Sequence, residues 1–288
     1  MQILITGILL GGVYAIVAMG LSLQYGVARI MNLASGEMLV AGAFAAFWVV
    51  MAHSFSPYVA LLWVVPGAFV FNWLIYRYLL LPLVRRAKSR GQLEVDSILV
   101  TFGLSFALVG IFLMVFGGSF FNYSYLSRPV EFMGSRYGLN RVVAFWIAVA
   151  ICAALWYWIH YTRSGMAIRA VSVDPVSAGL VAIDVPRMST FAFALGGAVA
   201  ASGGVLLSTF LTFDASVGIV FTMKALIIVI MGGVGDMRGA IVAALVLGMT
   251  ETVVARLVDP GLTLASAYLL FVLVLLFRPQ GLFGRSTT

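Results

Sequence analysis

Charge is scarce in this chain: Asp, Glu, Lys and Arg make up 9% of 288 residues, against 63% hydrophobic. A soluble domain carries about 25% charged residues, so a polar exterior over most of the chain is excluded, and the sequence reads as a polytopic membrane protein. Cysteine is limited to Cys152, inside an apolar run. That excludes an intrachain disulfide and suggests neither thiol catalysis nor a metal cluster. The two histidines, His53 and His160, sit at run ends far apart in sequence, and no H-E-x-x-H or G-x-x-x-x-G-K-[ST] occurs. A metalloprotease helix and a phosphate-cradling loop are both missing, so the chain has no ATPase site of that kind. Ser35 and Ser105 have no identifiable base and read as helix hydrogen-bonders. No catalytic residue or metal ligand is assigned, and no cofactor is expected on the chain itself. No Lys or Arg precedes Arg29, and no small-residue cleavage site follows a short apolar core, so the first run is expected to be a retained span. The net charge of +7 comes from basic residues in short connectors, where membrane topology puts them, and nucleic acid is not an expected partner.

What the chain has in quantity is apolar runs. Residues 1–28 are uncharged and long enough to cross a hydrocarbon core, which needs about 20 residues. Gly7 and Gly11 within them form a G-x-x-x-G, expected to serve helix packing inside the subunit. Asn32-Leu33-Ala34-Ser35-Gly36-Glu37 then opens a run to Ala52. Glu37 is either interfacial, favouring a helix N-terminus, or inside the membrane facing a wet cavity. The run 57–76 is followed by a basic connector, 82–96, with Arg85, Arg86, Lys88 and Arg90, expected to be cytoplasmic. Runs 98–116 and 142–161 cross outward and back, so the segment after them shares the connector's side. Residues 188–213 form another span, with Gly196, Ala200 and Gly204 as a smooth packing strip. Lys224 interrupts the run 215–234, glycines break the chain again at 232–239, and a further span carries Glu251 before the last, 262–277. Glycine-broken segments at membrane depth are tolerated where protein or a water-filled cavity covers the freed backbone. The fold class expected is all-α and polytopic, in one transmembrane domain over 1–288. It has about nine spans, or eight if the 32–52 segment re-enters without crossing.

Residues 162–187, T-R-S-G-M-A-I-R-A-V-S-V-D-P-V-S-A-G-L-V-A-I-D-V-P-R, form the longest polar-interrupted passage. Asp174 before Pro175 reads as a helix start, and Leu180, Val181 and Ile183 give that helix an apolar side needing a cover. Two functions remain open on residues alone. Glu37, Lys224 and Glu251 could couple ions in a secondary transporter of a small polar solute. Alternatively, the chain is a passive path driven by an ATPase docked on the 162–187 loop.

The second reading is favoured by resemblance. Gly165, Ile168, Arg169 and Ala170 match a G-x-A-I-R-A motif, and Asp174, Pro175 and Ala178 a D-P-x-x-A motif. Asn32, Gly36 and Glu37 fit N-[FL]-A-H-G-[ED]; Thr101, Gly103, Leu104 and Ser105 fit T-x-G-L-S. Lys224, Gly232, Gly233, Gly235 and Gly239 fit K-A…G-G-x-G-x-x-x-G, and the tail from Arg278 to Gly284 fits as well. Together these resemble ABC importer permeases of the branched-chain amino-acid, LivH type. The resemblance implies a multi-pass subunit of the bacterial cytoplasmic (inner) membrane, paired with a second permease as a heterodimer. It also implies two cytoplasmic ATPases that hydrolyse the ATP, and an extracytoplasmic binding protein. Arg163, Gly165, Ile168, Arg169, Asp174, Pro175, Ala178 and Leu180 are then expected at the ATPase contact, with Asp174 capping its helix in either case. Asn32, Ser35, Glu37, Thr101, Ser105, Lys224 and Glu251 are expected on the translocation path, with Glu37 and Lys224 pairing across it. The chain departs from the pattern at Ser35, where the family has histidine, at Ala182, where it has glycine, and at Arg238, where proline is common.

Overall fold

The structure, a computed structural model, describes residues 2–87, 89–132 and 135–283. Lys88 and Gly284, which figured in the connector and tail motifs, lie outside the described residues. The protein is an all-α polytopic membrane protein. Its helices are α1 (Gln2–Ala28), α2 (Ser35–His53), α3 (Leu61–Leu74), α4 (Leu81–Arg86), α5 (Arg90–Phe116) and α6 (Leu139–Tyr161). They continue as α7 (Arg163–Val173), α8 (Pro175–Leu180), α9 (Val185–Leu207), α10 (Gly218–Gly232), α11 (Met237–Leu257) and α12 (Thr263–Phe277). One departure from pure helix was not anticipated: β1 (Pro129–Phe132) and β2 (Ser135–Gly138) pair antiparallel in the loop before α6.

Eight helical stretches among the described residues are long and apolar enough to cross a membrane. The expected doubt over 32–52 falls elsewhere, because α2 qualifies with 19 residues and α10 is the short one with 15. At 1.5 Å per residue α10 reaches about 22 Å, less than the ~30 Å of a hydrocarbon core. The irregular residues 208–217 make up the remainder. Their backbone is satisfied locally: Phe213 and Phe121 exchange N–H···O bonds of 3.0 and 2.8 Å, and Asn140 Nδ2 donates to the Thr209 carbonyl at 2.9 Å.

Small residues decide how the centre packs. A Cβ added at Gly7 would come 2.7 Å from the Met249 backbone, and one at Gly11 would come 2.8 Å from Ala244 and Leu245. The G-x-x-x-G of α1 therefore seats α11 of the same chain. On α9, Gly196 meets the Gly20 carbonyl and Gly204 the Leu39 carbonyl, so the glycine strip brings α1 and α2 against α9 at backbone distance. These three helices form the buried centre, while α3, α5, α6 and α12 expose most of their apolar side chains at the periphery.

One end of the bundle is basic. Arg29, at φ 54 where α1 stops, donates to the Ser172 carbonyl at 3.4 Å, and the Tyr25 phenol donates to Glu94 at 3.0 Å. Gly26 lies against Gly235, and tail amides of Leu282 and Phe283 donate to the Met231 and Gly232 carbonyls. The α1–α2 turn, the start of α5, the 162–184 segment, the glycine break and the tail thus share one end. This agrees with the side assignment reached by counting crossings.

Candidate functional site

The 162–184 segment holds two short helices, one more than its sequence suggested. Thr162 Oγ1 accepts from the Gly165 N–H at 3.1 Å and starts α7. Gly165 must be glycine here: a Cβ would sit 2.5 Å from the Trp158 and Ile159 carbonyls at the end of α6. Asp174 caps α8 by accepting from the Val176 N–H at 3.0 Å and from the Ser177 hydroxyl. Gly165, Ile168, Val171 and Ala178 turn inward and are buried, fastening the pair of helices to the bundle. The outward surface is Val173, Val176, Leu180 and Val181, with Leu180 84% exposed. Arg163, Arg169 and Arg187 are exposed on the same stretch of chain; Arg169 reaches the His160 carbonyl at 3.3 Å and Arg187 pairs with Asp184 at 2.8 Å. Ile183, expected on the outward apolar side, packs instead against the core. Ala182 takes a left-handed backbone, φ 63, at the turn after α8. Glycine suits that conformation without a Cβ penalty.

A second cluster surrounds the break between α1 and α2. Residues 29–34 are not helical, although Thr101, which holds them, lies near the middle of the 27-residue α5. Side chains replace the lost ladder: Thr101 Oγ1 accepts from Leu33 N–H at 3.2 Å and faces the Met31 carbonyl at 3.0 Å. Asn32 accepts from Ala34 N–H at 3.0 Å and donates to Gln24 at 3.1 Å, whose amide donates on to the Phe193 carbonyl. Thr222 on α10 accepts from Gly36 N–H at 2.9 Å. This is the kind of irregular backbone that a bilayer interior allows only when protein covers it. The Glu37 carboxylate accepts from the Ser105 hydroxyl at 2.8 Å through Oε1. Its Oε2 lies against Gly218, where a Cβ would be 2.2 Å away, and has no hydrogen-bond partner; nor does the Ser35 hydroxyl. Glu37 is fully buried in the first turn of α2, so its carboxylate combines the helix-start position of one expectation with the interior position of the other.

The third cluster corrects the expected Glu37–Lys224 pair. Lys224 Nζ lies 2.9 Å from Glu251 Oε2 and donates to the Tyr14 hydroxyl at 2.9 Å, while Tyr14 donates to the same carboxylate oxygen at 2.9 Å. The ammonium also sits 5.0 Å from the Tyr14 ring centroid and 5.9 Å from that of Phe221. Glu37 is directed to α5 instead, because Gly218 and Thr222 occupy the α10 surface next to it while Lys224 faces α1 and α11. The structure thus brings Asn32, Ser35, Glu37, Thr101 and Ser105 together, and separately Lys224 with Glu251. Sequence reading missed Tyr14, Gln24 and Thr222, each a single polar group in an apolar run with no motif of its own.

A family model described as branched-chain amino acid transport system / permease component matches residues 3–277. The chain is 27% identical over 300 residues to the high-affinity branched-chain amino acid transport system permease protein LivH of Salmonella typhimurium, covering 99% of this chain and 96% of that protein. It is 27% identical over 301 residues to the permease protein BraD of Pseudomonas aeruginosa, with the same coverages. The probable branched-chain amino acid transport permease protein LivH of Methanocaldococcus jannaschii is 25% identical over 301 residues, covering 98% of this chain and 92% of the relative.

Proposed function

The chain belongs to the branched-chain amino acid transport system permease family, and from that premise we propose that it is the membrane-spanning permease subunit of an ATP-driven importer for branched-chain or related small amino acids. The observation that carries the coupling is the outward apolar surface of the α7–α8 segment, Val173, Val176, Leu180 and Val181, on a segment that also exposes Arg163, Arg169 and Arg187. The positive-inside rule makes that end cytoplasmic, where two ATPase subunits dock on residues 162–187 as one domain's coupling loop. ATP is hydrolysed there, by partners, and the chain binds no cofactor. A second, different permease completes the path, and a binding protein delivers the solute outside the bacterial cytoplasmic membrane.

Alternating access needs a rigid connection between docking loop and path. Gly165, Ile168 and Ala178 provide it by burial, so that Arg163, Arg169 and Leu180 meet the ATPase while Asp174 and Pro175 shape α8. On the path side, the unpartnered oxygens of Glu37, Ser35 and Glu251 are groups that gain a partner when the subunit opens to water or solute. The experiment is reconstitution of the whole transporter with Val176→Glu and Leu180→Glu. Solute-stimulated ATP hydrolysis is expected to be lost while membrane insertion stays normal. Full activity would overturn the docking assignment, and uptake by this chain alone on an ion gradient would restore the secondary-transporter reading.

A further inference from the structure

α3 does not stop at Leu74. It runs on through a π-helical turn, Ile75–Leu80, into α4. Pro82 supplies the reason: it has no N–H to give and its ring crowds the carbonyl four residues back, at Tyr78. The helix widens, and the Leu81 amide bonds the Tyr76 carbonyl five residues earlier. Tyr76 and Leu80 fix the inner side of this turn against Ala28, Ile30 and Phe193. On the outer side the widened spacing puts Arg77, Leu81, Pro82, Arg85 and Arg86 around one open cleft of about 240 Å³.

Three arginines therefore line one cleft with no carboxylate among its lining residues. The ion pairs of the described residues lie elsewhere, at Arg136–Glu131, Arg187–Asp184 and Lys224–Glu251, and the nearby Glu94 accepts from Tyr25. Arg77 lies over the Trp73 ring, 5.3 Å from its centroid, a stacking that orients the guanidinium. Like charges gathered at the edge of a hydrocarbon layer repel, and an anion between them removes that cost. Guanidinium forks suit phosphate oxygens. The cleft's flank adds a second requirement: Phe71, Leu74, Tyr78 and Leu79 are exposed apolar or aromatic side chains on the same helix. Aromatic groups at this level mark the headgroup zone. A ligand matching both parts carries a phosphate and hydrocarbon chains together.

We propose that this cleft binds the phosphodiester headgroup of an anionic phospholipid, such as phosphatidylglycerol, whose acyl chains run along the exposed face of α3. It shares no lining residue with the Glu37 or Lys224 clusters or with the 162–187 segment.

The test uses the complete transporter purified with its partner subunits, and native mass spectrometry of lipid retained after exchange into phosphatidylglycerol or phosphatidylcholine. The wild type is expected to retain phosphatidylglycerol selectively. Arg77→Gln/Arg85→Gln/Arg86→Gln is expected to weaken that retention about a hundredfold, and Arg85→Gln or Arg86→Gln alone about fivefold each, from the usual strength of one basic residue at a membrane surface. Arg128→Gln/Arg141→Gln, at the opposite end, should leave it unchanged. Excess inorganic phosphate should not displace the lipid. Equal retention of the two lipids, or unchanged retention by the triple variant, overturns the proposal. Displacement by inorganic phosphate reassigns the cleft to a soluble anion. Loss of an ATPase subunit from the triple variant with lipid retention intact makes the cleft a protein contact.

Discussion

The Lys224–Glu251–Tyr14 triangle makes a quantitative prediction. The two charges are 2.9 Å apart and their side chains are 11% and 4% exposed. At an effective dielectric constant of about 20, their attraction is ~6 kcal/mol. Desolvation of both ions offsets much of that, but removing one partner forfeits the attraction and leaves the other ion buried, which costs about 3 to 5 kcal/mol. Lys224→Met strands Glu251 with only the Tyr14 phenol, and Glu251→Gln strands the ammonium with Tyr14 and two ring faces. Each single variant should therefore lose about 3 kcal/mol, and the double variant a similar amount instead of ~6, a coupling of about 3 kcal/mol. At about 2.1 cal/mol/K per residue, that single loss lowers the unfolding temperature of a chain of this size by roughly 5 °C. Cys152, buried and the only cysteine, provides the assay. Its labelling by a thiol-specific dye on heating, resolved on gels from partner subunits, follows this chain alone. Strictly additive losses would mean that the pair is not coupled, and the argument from burial would fail.

Other consequences are as direct. Thr101→Val should cost about 1 to 3 kcal/mol by leaving the Leu33 N–H unpaired inside the bundle, and Thr101→Ser, which keeps the hydroxyl, should recover most of it; no loss in Thr101→Val would refute the role of the hydroxyl. Ala182→Gly should stabilise the turn after α8 by about 1 kcal/mol, since φ 63 disfavours a Cβ, read as slower hydrogen exchange of the Ala182 and Ile183 amides; unchanged or faster exchange refutes it.

The parts legible in the sequence were those with long-range statistical weight. Apolar run length placed the spans, and two crossings counted between the connector and the 162–187 segment put them on one side. The Asp-Pro pair located the start of α8. What was not legible depends on which faces meet. Nothing in the sequence says whether Lys224 looks towards Glu37 or Glu251, because that is set by the rotation of α10 once Gly218 and Gly36 have brought their backbones together. Tyr14 stands in an uncharged run where a tyrosine is as ordinary as a phenylalanine, and its role exists only because α11 lies against Gly7 and Gly11. The departure at Ala182 was visible as an unusual residue, but the strain became apparent only with its dihedral angle.

These placements connect the docking loop to the interior by one helix. α1 begins beside α11 at Gly7, carries Tyr14 to the buried ion pair, passes α9 at Gly20, and ends at Arg29 on the Ser172 carbonyl of α7. Its contacts at Gly7, Gly11 and Gly20 are backbone to backbone, which leaves little room to slide without rearranging α9 or α11. On the proposed coupling, a pull on α7 and α8 therefore reaches the Lys224–Glu251 pair through a rigid rod. The Glu37 cluster is reached differently, across residues 29–34, whose backbone is held by Thr101, Asn32 and Thr222 rather than by a helical ladder. Of the two interior clusters, the one next to that break is the one able to change shape while α1 stays intact, and on the proposed coupling the Asn32 to Glu37 stretch is where movement of the loop would become opening of the path.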